Sequence, residues 1–311
     1  MRDYVPGSPF DQVPKPSFRD RVRQFSWRHP VTWILYNLRR VAMGKQLIFL
    51  DYPFQPFARW GYGKPAHARL ASLFAGDRAR YAGLLRGFLA FQEQLARIPA
   101  EANDNRTPQW RNRWLPPPDA AALYCLLAQH KPKRYIEIGS GNSTKFARRA
   151  IQDHGLATTI TSIDPHPRAE IDGLCDHVIR KPLQDVSLEL FGELQPGDFF
   201  FLDSSHVVLT NSDVTVALLE VLPALPAGVF VQVHDILLPY DYPPGWAFRS
   251  YTEQYLLAFA LLEGASRLEV LLPNAYVAGD AELAGILRPL WERLGIAAEA
   301  ATGLSFWMLT R

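Results

Sequence analysis

From Asp119 onward the chain alternates apolar, strand-like runs with helical segments, and this alternation restricts the fold more than any other feature. A helix is expected across Ala120 to Gln129, then a strand at Arg134 to Ile138 (RYIEI). Further strands are expected to end at Asp164 (TTITSID), Lys181 (HVIRK), Asp203 (GDFFFLD) and Asp235 (GVFVQVHD), with helices near Ser143 to Asp153, Asn211 to Leu222 and Arg249 to Leu262. Such an order specifies an α/β, doubly wound and mostly parallel sheet with helices on both faces, whose ligands sit beyond the carboxyl ends of the strands. The expected domain spans 118–311.

Residues 1–117 differ in character, being rich in Arg, Trp, Phe and Pro, and are expected to form a mainly helical, irregular extension. Asp77 to Ile98 has helical spacing and is stopped by Pro99; Pro99 to Pro118 reads as a linker. Arg19 to Arg40 mixes six arginines with aromatic and aliphatic residues. Two readings stay open for 19–40: peripheral contact with an anionic membrane, or an arm packed on the domain, which Pro30 favours by interrupting the pattern. The glycines of Arg59 to His67 mark this segment as the part of the extension expected to reach the crevice.

Basic and acidic residues number 33 and 31, so whole-chain charge gives no reason to expect a nucleic-acid partner. Cys125 and Cys175 are too few for a disulfide framework or a thiolate metal site. No apolar run approaches the roughly 20 residues that span a bilayer, and a cytoplasmic protein is expected. The oligomeric state stays open.

Glu137 to Thr144 (EIGSGNST) lies between a strand and a helix. Gly139 and Gly141 permit a sharp turn and close backbone approach, and Asp164 falls where a carboxylate can reach ribose hydroxyls. Thr144 occupies the place of the third glycine of dinucleotide sites, and Glu137 would repel a diphosphate but accept from an ammonium group. A nucleoside with a cationic amino-acid tail, S-adenosyl-L-methionine, suits this turn better than NAD.

With the blocks YIEIGSGNST, GDFFFLDSSH, HDILLPYDYP and YTEQYLL, the chain from about Pro118 to Arg311 resembles the class I S-adenosylmethionine-dependent methyltransferases, and within them a bacterial group. The resemblance implies a Rossmann-like, seven-stranded sheet whose last strand, Leu304 to Thr310, is antiparallel. It implies cofactor contacts from Glu137, Gly139, Ser140, Gly141, Asn142, Ser143, Thr144, Asp164 and Asp203, with Gln184 and Asp185 near the adenine edge.

The ends of the fourth and fifth strands carry Asp203, His206, His234 and Asp235. His206 is the candidate general base for a hydroxyl acceptor, with Asp203 and Asp235 beside it. In metal-dependent O-methyltransferases of small molecules, an aspartate ending the fourth strand binds a cation and a base follows three residues later, a pattern Asp203 and His206 match. Asp203 and Asp235 are therefore candidate ligands of a divalent cation, Mg²⁺ or Mn²⁺, joined by His234 only if the strand breaks there. In the following loop and helix, Tyr240, Tyr242 and Trp246 are candidates for the apolar wall of a lid, and Arg249 and Glu253 for fixing a small polar or glycan-like acceptor. O-methylation is expected; N-methylation and non-catalytic cofactor binding remain alternatives.

Overall fold

The computed structural model describes residue 10 and residues 30–44, 51–52, 56–167, 170–264, 266–297 and 302–311. Seven strands form one sheet: β1 (Arg134–Ile138), β2 (Thr159–Ile163), β3 (His177–Ile179), β4 (Phe199–Leu202), β5 (Phe230–Val233), β6 (Leu268–Pro273) and β7 (Phe306–Thr310). Their order is β3-β2-β1-β4-β5-β7-β6, with β7 antiparallel to both neighbours. The expected seven-stranded, doubly wound sheet with an antiparallel last strand is what the chain forms. β6 is the strand that the sequence pattern left unassigned.

β4 reads FFFL and is buried along its length, as a central parallel strand covered on both faces must be. The strand order reverses between β1 and β4, which opens a crevice at their carboxyl ends.

The longer helices are α1 (Pro30–Ala42), α2 (Ala68–Gly76), α3 (Arg78–Phe88), α4 (Pro117–His130), α5 (Asn142–His154) and α6 (Glu253–Leu262). Two prolines occupy the first turn of α4, where their missing N–H groups cost nothing, and Lys131 closes it in a left-handed conformation. The helix is apolar all round because it is buried, Ala120 to Leu127 being inaccessible. Helices α2 and α3 pack on the same core; Phe74 lies 5.7 Å from Phe306 of β7, ring to ring.

Three expectations for the extension change. Pro30 does not interrupt a helix but begins α1, whose Val31, Ile34, Leu35, Leu38 and Val41 are exposed; residues 19–29 lie outside the described residues. The expected helix over Asp77 to Ile98 divides into α3, a 3-10 turn (Leu89–Phe91) and a short helix (Gln92–Leu95). Of the expected linker 99–118, Pro117 and Pro118 begin α4, and the rest forms a folded loop rather than a spacer. Trp110 is buried and donates to the Leu95 carbonyl at 3.3 Å. Asn112 Oδ1 accepts from the Leu115 N–H at 2.8 Å and from Asn142 Nδ2, at the start of α5, at 3.1 Å.

Gly139 marks the tightest joint in the sheet. Its φ is +79°, and a Cβ placed there would lie 1.7 Å from the Asp203 carbonyl oxygen. Gly139→Ala is therefore expected to lose more than about 3 kcal/mol in urea unfolding, combining a left-handed backbone with a backbone clash. Gly83→Ala, on an exposed face of α3 with nothing within 4 Å, is the control and is expected to gain about 0.5–1 kcal/mol.

Candidate active site

The glycine turn is held from below. Glu137 is fully buried on β1, and its carboxylate accepts from Tyr135 Oη and Ser143 Oγ, both at 3.0 Å, and from Thr144 Oγ1. Thr144 Oγ1 also accepts from the Gly141 N–H at 3.1 Å. Glu137, Ser143 and Thr144 thus clamp the start of α5, and Glu137 does not face the crevice as its sequence position implied. Burial raises the Glu137 pKa to about 7, the three hydroxyl donors opposing.

Asp164, at the end of β2, accepts from the Ser140 N–H at 2.9 Å and from the His166 N–H at 2.8 Å. It braces the turn and uses two of the roughly four acceptor positions of a carboxylate. Gln184 and Asp185 are exposed in a 3-10 turn and lie outside the cavity described next.

A cavity of about 960 Å³ opens above the turn. Ser140, Gly141, Asn142 and Ser143 line one side, Asp203 another, and residues from the 105–115 loop close it. A Cβ built on Gly141 meets nothing within 4 Å, so the turn leaves open space where a ligand can approach the backbone. The extension therefore reaches the crevice through 105–115, while Arg59 to His67 meets the loop after β5: the Arg59 N–H donates to Asp241 Oδ2 at 2.9 Å.

Beside the cavity, the ends of β4 and β5 bring Asp203, His206, His234 and Asp235 together. His206 Nε2 lies 3.3 Å from Asp203 Oδ1 and 3.5 Å from Asp235 Oδ2, while Nδ1 makes a short contact with Glu253 Oε1. His234 Nδ1 lies 3.5 Å from Asp235 and 3.8 Å from Asp203. His234 Nε2 is 3.3 Å from Asp119 Oδ2 but off the line of a hydrogen bond, an ion-pair contact only. The strand does break as sharing between neighbours requires: Asp235 has φ 56°, and His206 φ 63°. Non-glycine residues rarely hold this conformation, which costs roughly 1–3 kcal/mol and gathers at functional sites.

Burial would depress both imidazole pKa values, but the carboxylates prevail. Glu253, Asp203 and Asp235 hold His206 well above its ordinary value, and Asp203, Asp119 and Asp235 raise His234 to about 9. Burial raises the Asp235 and Glu253 carboxyls, the imidazoles opposing it.

This charge pattern bears on the expected metal. Asp203 and Asp235 need positive charge between them, and two imidazolium groups supply it. Among the described residues, no group of three or more His, Cys, Asp and Glu side chains is arranged to hold a metal ion. The set expected for Mg²⁺ or Mn²⁺, Asp203, Asp235 and His234, does not fit one.

None of the five residues expected to contact the acceptor lines the cavity. Glu253 is buried against His206. Tyr240 stacks on Phe10 at 4.2 Å, and Tyr242 is buried in the same small apolar cluster. Trp246 lies beneath the Arg249 guanidinium at 4.2 Å, and the charge of Arg249 reaches Asp235. The sequence reading missed Asp119, Tyr251, whose ring is 4.4 Å from that of His206, and the loop 105–115. Asp119 was detectable as an acid in the first turn of an otherwise apolar helix.

Residues 136–236, from β1 to just past β5, match the family model described as "Methyltransferase domain". The match and the sheet order define the class that this part of the chain represents, a class I S-adenosylmethionine-dependent methyltransferase domain. No curated protein matches the chain. It is similar to SAH-bound methyltransferase PaMTH1 of Podospora anserina, at 18% identity over 49% of this chain and 71% of that one, with a TM-score of 0.35. It is also similar to the O-methyltransferase from Bacillus cereus in complex with SAH, at 14% identity over 73% and 90%, with a TM-score of 0.34. A third likeness is to the plantazolicin methyltransferase BpumL in complex with SAH, at 12% identity over 78% and 99%, with a TM-score of 0.37. Among the described residues, no helix is long and apolar enough to cross a membrane.

Two stability measurements follow from the buried charges. A Glu137 pKa raised to about 7 means that the folded state holds a proton more tightly, so stability is lost as pH rises from about 4.5 to 7. Glu137→Gln should abolish that loss in urea titrations, whereas Glu137→Ala should cost roughly 3 kcal/mol by stranding three hydroxyls. His234 contributes fully below its unfolded pKa of about 6.5, and its contribution disappears as pH rises through about 9. His234→Gln should flatten the unfolding midpoint over that interval.

Proposed function

We propose that the protein methylates a hydroxyl of a small polar or glycan-like acceptor, with His206 taking the hydroxyl proton. The observation that carries this reading is the orientation of His206, gripped at Nδ1 by buried Glu253 while Nε2 points to Asp203, which lines the cavity. S-Adenosylmethionine supplies an electrophilic methyl group on a sulfonium. Ser140, Gly141, Asn142 and Ser143 would hold its amino-acid end, and Asp164, which braces Ser140 from outside the cavity lining, would meet the ribose through its remaining acceptor positions. Asp203 borders both halves of the site and would turn the acceptor hydroxyl toward His206. Glu253 fixes the ring so that Nε2, once deprotonated, receives the proton as the oxygen gains the methyl group.

The raised His206 pKa shifts the expected pH dependence. As a base the imidazole must first lose its proton, so activity should climb with pH beyond the ordinary histidine range while ion-pair stability declines. The same shift favours one alternative, N-methylation, because an amine can bring its own lone pair.

His206→Ala is expected to lower kcat about 10²- to 10⁴-fold while leaving the affinity for S-adenosylhomocysteine within about twofold. Glu253→Gln removes a charge that raises the His206 pKa, so the rising limb of the pH–rate profile should move to lower pH. Methyl incorporation from labelled cofactor, followed from pH 6 to 10, reads both effects. A His206→Ala enzyme with unchanged turnover would favour the amine acceptor.

A further inference from the structure

The mouth of the cavity carries more positive charge than its acids balance. Lys145, Arg106, Arg111, Arg113 and Arg180 all line it. Arg111 is paired with Glu101, and Arg180 with Asp172. Among the described residues, Lys145, Arg106 and Arg113 make neither an ion pair nor a side-chain hydrogen bond. Lys145 projects from the second turn of α5 and is only 9% exposed, so its ammonium is held in the wall of the cavity. Burial lowers its pKa, Asp104 partly opposing, so the site holds a cation at a cost that an anionic ligand would offset. Arg106 reaches across from the 105–115 loop, its guanidinium carbon 3.5 Å from where a Cβ of Gly173 would stand. Of the acids lining the same space, Glu170 and Asp172 lie near its exposed edge, and Asp203 is engaged by His206 and His234.

The cofactor makes this imbalance larger. S-Adenosylmethionine carries a sulfonium and an ammonium against one carboxylate, so its arrival adds one more net positive charge to a wall already in excess. A neutral acceptor would leave these charges facing each other; an anionic acceptor would neutralise them in a partly water-excluded space, where the interaction is strong. We propose that Lys145, Arg113 and Arg106 form an anion subsite and that the methyl acceptor carries an oxyanion group, a carboxylate, sulfate or phosphate, which they bind. This rests on the reading of the cavity as the shared site of S-adenosylmethionine and acceptor. An oxyanion could also come from the cofactor itself, through its methionine carboxylate, and the test separates the two sources.

The measurement is equilibrium dialysis of labelled inorganic phosphate against the full chain, with and without saturating S-adenosylhomocysteine, alongside calorimetric titration of that cofactor product. Phosphate is expected to bind the loaded protein. Lys145→Gln should raise its Kd at least about tenfold and Arg113→Gln by a smaller factor, with Lys145→Arg restoring most of the affinity. Cofactor-product affinity should stay within about twofold in all three variants. Arg113 is exposed, so Arg113→Gln carries the test if Lys145→Gln does not fold. Absence of phosphate binding, or equal binding by the glutamine variants, overturns the subsite. Competition between phosphate and cofactor product, with product affinity falling in Lys145→Gln, also overturns it by assigning the cations to the methionine carboxylate. Phosphate binding that depends on Lys145 and Arg113 in a protein that fails to bind the cofactor product would leave the subsite standing and sink the reading of the cavity.

Discussion

The close approach of Gly139 to the Asp203 carbonyl is the contact on which the rest of the site depends. It joins the turn after β1 to the end of β4 at the point where the strand order reverses, with no room for a side chain between them. One consequence is geometric. The Asp203 N–H donates to the Ile138 carbonyl at 2.9 Å, so the sheet pairing continues one residue past β4 and then stops. The Asp203 side chain is left between the cavity and the two imidazoles. Cofactor turn and ionisable cluster are therefore parts of one rigid joint, the kind of support that proximity effects in catalysis require.

Burying so much charge is costly unless each group is compensated. Asp119 receives the Leu304 and Ser305 N–H groups and Asn274 Nδ2, which ties α4 to the chain entering β7 as well as to His234. Glu253 anchors the first residue of α6 under His206, and the His206 carbonyl accepts from the Thr252 N–H at 2.9 Å. The left-handed backbone at His206 and Asp235 is held by these long-range bonds and by the Ile236 N–H donating to the Leu304 carbonyl at 2.9 Å. At His206 and Asp235 backbone strain and charge burial thus coincide. Elsewhere the sheet is regular but for a register shift between Val270 and Leu272 of β6, and its stability comes from the apolar core.

The regular part was legible because its signals are local. Period and alternation revealed five parallel strands and the turn after β1, and the resemblance supplied the antiparallel β7. The setting of Glu137 was also local, although its place before the glycine turn suggested a ligand contact. Tyr135 and Glu137 are two apart on one strand and so share a face, and the hydroxyls of Ser143 and Thr144 follow in the next turn. Other misses were not local. Asp119 and His234 are brought together by packing across more than a hundred residues, and His206 and Glu253 across 47. The 105–115 loop carries no periodicity, so nothing in its composition distinguished a cavity wall from a spacer.

Charge in this crevice is layered, and the layers differ in how water screens them. At the mouth, Arg106, Arg111 and Arg113 are exposed, so their field is weakened by salt beyond a Debye length of about 8 Å at physiological ionic strength. Beside the cavity and behind Asp203, the side chains of His206, His234, Asp235 and Glu253 are buried, and salt screens their interactions much less. The outer layer therefore acts on encounter and orientation, through rates that depend on ionic strength, while the inner layer sets protonation. Lys145 belongs to both, positioned at the mouth by α5 yet shielded from solvent. An anion drawn in by the arginines meets its least screened partner only after it has entered the cavity. Its attraction thus strengthens along the path inward, toward Asp203 and the two imidazoles.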